Sequence, residues 1–146
     1  MNDDIAKAPP ADLFTLETDM WTEPFWAAAR DHRLVVCRCA ACGQTRFPPG
    51  PYCPACRSQQ AEWPELPGTG EVFAYTVVSR SIVPEMDASI PYVPAVIALD
   101  GADGCRIISN VVGCPVSEVA VGSAVQVEWE DRADGATIPR FRMRRT

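Results

Sequence analysis

The chain has 146 residues, 47% of them apolar, with a formal charge of −6 and an isoelectric point near 4.7. That is enough chain for one or two small domains with a buried core. The acid excess argues against a phosphate-backbone binder, which shows a basic face, and no apolar run approaches the ~18–20 residues that span a bilayer.

The first ten residues are acidic and contain proline, with no basic stretch leading into an apolar one. No secretory leader is expected there, so the cytoplasm is the expected compartment, where thiols stay reduced. Residues 1–20 are expected to be a disordered or extended N-terminus, disordered from Met1 to about Ala11. A second unit spans 21–66. It opens with a short helix of about ten residues, capped by Thr22 and beginning at Glu23, with Pro24 in a first turn that tolerates its missing N–H. Phe25, Trp26, Ala28 and Ala29 form an apolar side. So short a helix persists only when docked. Trp21 and Trp26 are candidates for a partner interface, because Trp is enriched at binding hot spots.

Five of the seven cysteines lie between Val35 and Ser58. Cys39-x2-Cys42 and Cys53-x2-Cys56 are two knuckles ten residues apart. Each turn aims two sulfurs at one ion, and two turns supply the four ligands of a tetrahedral site. Gly43 follows the first pair where the turn needs a permissive backbone. Zinc is the expected ion, one per chain, with iron a substitute that the same sulfurs accept. A site with all four positions filled by protein cannot activate water, so its role is structural. Cys37 extends "RLVVC", where strand alternation puts Leu34 and Val36 on one face and Val35 and Cys37 on the other; it reads as a small apolar residue. Phe47 and Tyr52, in "RFPPGPY", sit on loops that cover the ribbon or face a partner. Arg38, Arg46 and Arg57 lie in the same region and read by themselves as exposed arginines on a small domain.

After the connection "WPELPG", the third unit, 67–146, changes period. "GTGEVFAYTVVSR", "YVPAVIALD", "CRIISNVVG", "AVQVEWEDR" and "TIPRFRMRR" read as five strands separated by turns. Val125, Val127 and Trp129 share one face of the fourth, and Phe141 and Met143 one face of the fifth. Five such strands make a small barrel or sandwich; the OB-fold is a five-stranded, partly open Greek-key barrel. Residues 68–146 carry seven Arg and no Lys against ten acids, so an OB-type nucleic-acid groove is not expected. Arg140, Arg142, Arg144 and Arg145 read as a solvated strand face and tail. No catalytic set is legible. The one histidine, His32, falls at a helix end in a solvated or capping role, and Cys105 and Cys114 read as buried thiols with no neighbouring base.

The succession of helix, C-x2-C, "FPP", "CPAC", tryptophan, glycine turn, "YTVVSR", "PYVPAVIALD" and "NVVG" resembles the "domain of unknown function 35" family over about Trp21 to Met143. The resemblance implies a mainly β protein with an N-terminal helix, a rubredoxin-like zinc ribbon and a five-stranded OB-fold barrel. It implies Cys39, Cys42, Cys53 and Cys56 as zinc ligands, and puts Arg80, Pro91, Tyr92, Asn110 and Gly113 at motif positions. Gly50 departs from the pattern: members often carry a basic residue after "FPP", so any phosphate contact it makes is missing here. The implied function is a non-catalytic accessory subunit of a thiolase-superfamily enzyme acting on acyl-CoA, in a hetero-oligomer that shares the acyl-CoA. The alternatives are a partner of an acyl-CoA hydratase, or a stand-alone binder of acyl-CoA or single-stranded nucleic acid; Arg38, Arg46 and Arg57 of the ribbon are the candidates for the phosphates of coenzyme A.

Overall fold

A computed structural model describes residues 4–145. One helix, α1 (Glu23–Arg30), precedes a three-stranded ribbon of β1 (Cys37–Cys39), β2 (Thr45–Arg46) and β3 (Ala61–Glu62), ordered β2-β1-β3. Five longer strands follow: β4 (Thr69–Tyr75), β5 (Val93–Leu99), β6 (Arg106–Val111), β7 (Ala124–Asp131) and β8 (Thr137–Met143). They close a barrel in the order β4-β5-β6-β8-β7. The expected architecture, a mainly β chain with a helix, a cysteine ribbon and an OB-type barrel, is the one observed.

The barrel follows from period-two patterning. In β5, Val93, Ala95, Ile97 and Leu99 are buried and the residues between them are half-exposed. Phe141 of β8 is fully buried with Ile97, Val72, Val111 and Val125 around it in one core. Gly70 has no room for a side chain: a Cβ there would sit 2.4 Å from the Ala98 carbonyl oxygen.

Three local expectations are corrected. The helix has eight residues, and the Thr22 hydroxyl does not cap it. Asp19 holds the turn instead, its Oδ1 accepting from the N–H groups of Trp21 and Thr22 at 2.9 and 2.8 Å. Leu34, Val35, Val36 and Cys37 do not alternate; all four are buried. Their segment runs against the connection to the barrel, with Val36 N–H donating to Pro64 and Leu66 N–H to Leu34. Apolar neighbours therefore stand on both sides, and Leu34–Val36, Phe25 and the barrel residues form one continuous core. Finally, residues 4–7, within the stretch expected to be disordered, are an extended strap. Ala6 is buried, donates its N–H to Cys114 at 2.8 Å, and accepts from Gly113 at 2.9 Å. The end of β6 leaves main-chain groups that the strap satisfies. The expectation for Met1–Asp3 falls outside the described residues.

No helix among the described residues is long and apolar enough to cross a membrane.

Candidate metal centre and the groove beside it

The sulfurs of Cys39, Cys42, Cys53 and Cys56 all lie within 4.8 Å of one another. The Cys39–Cys56 and Cys42–Cys53 pairs are 3.5 and 3.6 Å apart, close to the ~3.8 Å expected for sulfurs tetrahedrally placed about one zinc. Two similar turns present them. Gly43 N–H donates to the Cys39 carbonyl and Arg57 N–H to the Cys53 carbonyl, each at 2.9 Å. Cys39 and Cys53 donate in turn to Gln44 and Ser58, again at 2.9 Å. Gly43 takes the left-handed backbone at φ 81°, as its position requires, and Arg57 takes the same conformation at φ 66°.

The turns also set the charge on sulfur. The N–H groups of Cys42 and Ala41 hold the Cys39 thiol down to about 6. Those of Cys56 and Ala55 lower Cys53 likewise. Cys42 is steadied by the Gln44 N–H, yet hydrogen bonding with the Cys53, Cys56 and Cys39 thiols and burial push it up to about 12. The first protons leave easily and the last is held, because four thiolates in this space repel one another. A dication relieves that repulsion. The donor set and spacing fit zinc, with Cys39, Cys42, Cys53 and Cys56 as the residues that would hold it; bound there, the ion would cross-link the two turns. Cys37 is buried outside this cluster, and burial raises its thiol pKa.

The three candidate phosphate-binding arginines do not converge. Cys37 opposes Arg46 and Arg38 opposes Thr45 across β1 and β2, so Arg38 and Arg46 stand on opposite faces of the ribbon. Arg38 is paired with Glu62 at 2.6 Å. Arg46 donates to the Gly50 carbonyl at 3.0 and 3.3 Å. Arg57 is exposed at its turn.

Two of the four proposed interface aromatics do come together. Trp26 and Phe47 pack edge-on against Phe25, at 4.9 and 5.2 Å between ring centroids. They form one wall of a groove of about 330 Å³, whose other wall is β6 and β8. Tyr52 stands apart, 60% exposed, and Trp21 is half-buried ahead of the helix. The groove also holds what sequence reasoning missed. Arg140, expected on a solvated face, is only 15% exposed. Its Nη1 donates to Asn110 Oδ1 at 2.7 Å and its Nη2 to Glu130 at 3.3 Å, while its buried Nε has no partner. Strand parity alone puts Arg140 opposite Phe141, but not beneath a neighbouring helix. Of the other motif positions, Arg80 is exposed, Pro91 and Tyr92 are half-buried, and Gly113 turns with φ 77° into the strap.

The histidine at the helix end faces the barrel. His32 Nε2 lies 2.9 and 3.0 Å from the two oxygens of Asp131, and its ring stacks on Trp129 at 5.7 Å.

Two adjoining family models match these two structural units. Residues 26–62 match the model described as "ChsH2, rubredoxin-like zinc ribbon domain", and residues 63–130 the one described as "ChsH2, C-terminal OB-fold domain". The chain belongs to the DUF35 family of zinc-ribbon and OB-fold proteins. Its relatives include a "DUF35 domain-containing scaffold protein" of Methanocaldococcus jannaschii, 35% identical over 70% of this chain and 74% of that protein. A "probable enoyl-CoA hydratase alpha subunit" of Thermomonospora curvata is 39% identical over 81% of this chain. The aligned part is 36% of that protein, so this DUF35 chain matches about a third of its length. A solved structure titled "Ltp2-ChsH2(DUF35) aldolase" superposes with a TM-score of 0.78 at 34% identity, covering 88% of this chain and 98% of the other.

Proposed function

We propose that this chain is a non-catalytic, zinc-binding accessory subunit that assembles with a thiolase-superfamily enzyme acting on acyl-CoA. The observation that carries the reading is the superposition on nearly the whole of a chain whose structure is titled "Ltp2-ChsH2(DUF35) aldolase". The side-chain accounting supports it. Four thiols face one another in a closed cluster. Burial raises the pKa of Cys105 and Cys114, which keeps them protonated and poor nucleophiles. The one histidine is engaged by Asp131. Carbon–carbon bond chemistry then belongs to the partner, and the partner also supplies the main grip on the CoA phosphates, since Arg38 and Arg46 stand on opposite faces of the ribbon.

A second reading, partnership with an acyl-CoA hydratase, is favoured by the name of the Thermomonospora relative. One experiment separates the two. The tagged chain is purified from its native cells at native expression, and the co-purifying proteins are identified by mass spectrometry. A thiolase-superfamily protein in near-equal amount is expected; a hydratase in its place moves the function to the second reading. Turnover of acyl-CoA by the isolated chain would overturn both.

A further inference from the structure

The barrel is closed everywhere by ladders of at least three residue pairs except at one seam. β6 and β8 run parallel and pair only at Val111 and Phe141. Leu99 N–H donates to the Cys105 carbonyl, and the β5–β6 register runs on from there. In an antiparallel ladder hydrogen-bonded pairs alternate, so Ile107, Ser109 and Val111 direct their main-chain groups at β5. Arg106, Ile108 and Asn110 direct theirs the other way, toward β8. Val112, next in that series, donates to the Phe141 carbonyl at 2.8 Å. Two residues below Phe141 stands Pro139, which has no N–H to give the next rung. Its carbonyl is taken by Ser109 Oγ at 2.6 Å. The ladder therefore stops: β6 and β8 form no register pair below Val111 and Phe141, which leaves the main chain of Ile108 past the end of the ladder.

The surroundings suit an extended peptide. The groove is walled by Phe25, Trp26, Phe47 and four prolines. Ile108 is itself 79% exposed and joins the groove to an apolar outer face containing Tyr75 and Val96. Arg106, next on β6, lies 3.8 Å over the Phe73 ring and has no ion-pair partner among the described residues. This unpaired guanidinium, on the outer face of the same strand as Ile108, complements a carboxylate.

We propose that an extended, apolar, acid-bearing segment of the partner enzyme docks in this seam and pairs its main chain with β6 at Ile108. The segment completes the interrupted sheet, places apolar side chains against Trp26 and Phe47, and sets its carboxylate on Arg106. Strand addition of this kind draws affinity from main-chain hydrogen bonds and specificity from alternate side chains. The proposal rests on the accessory-subunit reading above.

Hydrogen–deuterium exchange tests it, on the chain alone and in the complex purified with its enzyme from native cells. The Ile108 amide is expected to exchange about tenfold or more slowly in the complex, as one added main-chain hydrogen bond allows. Ile108→Pro removes the N–H without touching the β5 ladder, and is expected to lower enzyme recovery about tenfold; Ile108→Thr keeps the N–H and most of the recovery. Equal thermal midpoints show that the variants fold, and the exchange experiment on the unaltered chain stands if Ile108→Pro does not. An Ile108 amide that exchanges equally fast in the complex overturns the seam and leaves the accessory reading intact. So does slowing of that amide by hexanoyl-CoA alone, which makes the groove a small-molecule site. Recovery of no enzyme by the unaltered chain overturns both.

Discussion

The ribbon and the barrel solve the same problem by different means. The ribbon strands are two or three residues long, and its turns are fixed by main-chain hydrogen bonds around four sulfurs. The barrel strands run six to eight residues and bury one face each. In a segment too small for its own core, four converging sulfurs let an ion supply the order, at one point and all at once. A barrel is ordered by many weak contacts, each replaceable at a modest cost. The two meet at Leu34–Val36, where ribbon and barrel share one core.

Breaking the ion should break the ribbon far more than the barrel. Structural zinc contributes on the order of 10–16 kcal/mol in small domains. Removal by a strong chelator, or the change Cys53→Ser, is expected to release one zinc per chain by metal analysis. Amides of residues 37–58 should then exchange at nearly unfolded rates while those of β5 stay protected. Loss of β5 protection to the same degree would show that the two regions fold as one.

Breaking the barrel takes a large core residue. Phe141→Ala is expected to cost about 3–5 kcal/mol, read by urea denaturation. Zinc content should be kept at low denaturant, since Phe141 lies on the barrel side of the shared core.

A change that sharpens the comparison lies at the second turn. Arg57 holds a left-handed backbone that costs a non-glycine residue ~1–2 kcal/mol, where the first turn has Gly43. Arg57→Gly is expected to raise stability by about 0.5–1 kcal/mol after glycine's greater entropy in the unfolded chain is deducted. A thermal midpoint that falls instead would mean the arginine side chain contributes more than the strain.

The smallest effect concerns the surface tie from the helix end to the barrel. Hydrogen bonding from His32, then from Thr137, lowers the pKa of Asp131. A carboxylate with a lowered folded pKa stabilises fully above its unfolded value and loses that contribution as pH falls through the folded one. Wild type and Asp131→Asn should therefore differ near neutral pH and converge in acid. A difference in denaturation midpoint that stays constant from pH 7 to well below ~3.9 would exclude this origin.

Sequence alone revealed much of what depended on neighbours in the chain, though not that Asp19 rather than Thr22 holds the turn into the helix. The alternation of Val93, Ala95, Ile97 and Leu99 marks a barrel strand, and the spacing of four cysteines marks one closed cluster. What it concealed depended on residues brought from elsewhere. Leu34–Val36 lose their alternation because the returning 64–66 segment and the core lie on either side. Arg140 looks like its neighbours Arg142 and Arg144 until Asn110 and Glu130 close on it. Ala6 is an unremarked small residue until the end of β6 offers it two hydrogen bonds. The arginines Arg38, Arg46 and Arg57 are close in sequence, yet strand pairing sends the first two to opposite faces.

The strand order has a consequence for synthesis. β8 is last in the chain yet sits between β6 and β7. As the chain leaves the ribosome at about 5–20 residues per second, the ribbon and its cysteines emerge first and can take up metal within seconds. The β4–β6 meander follows; β7 emerges next and can cover the β4 edge, while the β6 edge stays bare until β8 is made. The nascent chain thus spends its most adhesive interval with the cysteine ribbon already outside the tunnel, and a partner that engages β6 early would meet a wider edge than the finished molecule offers.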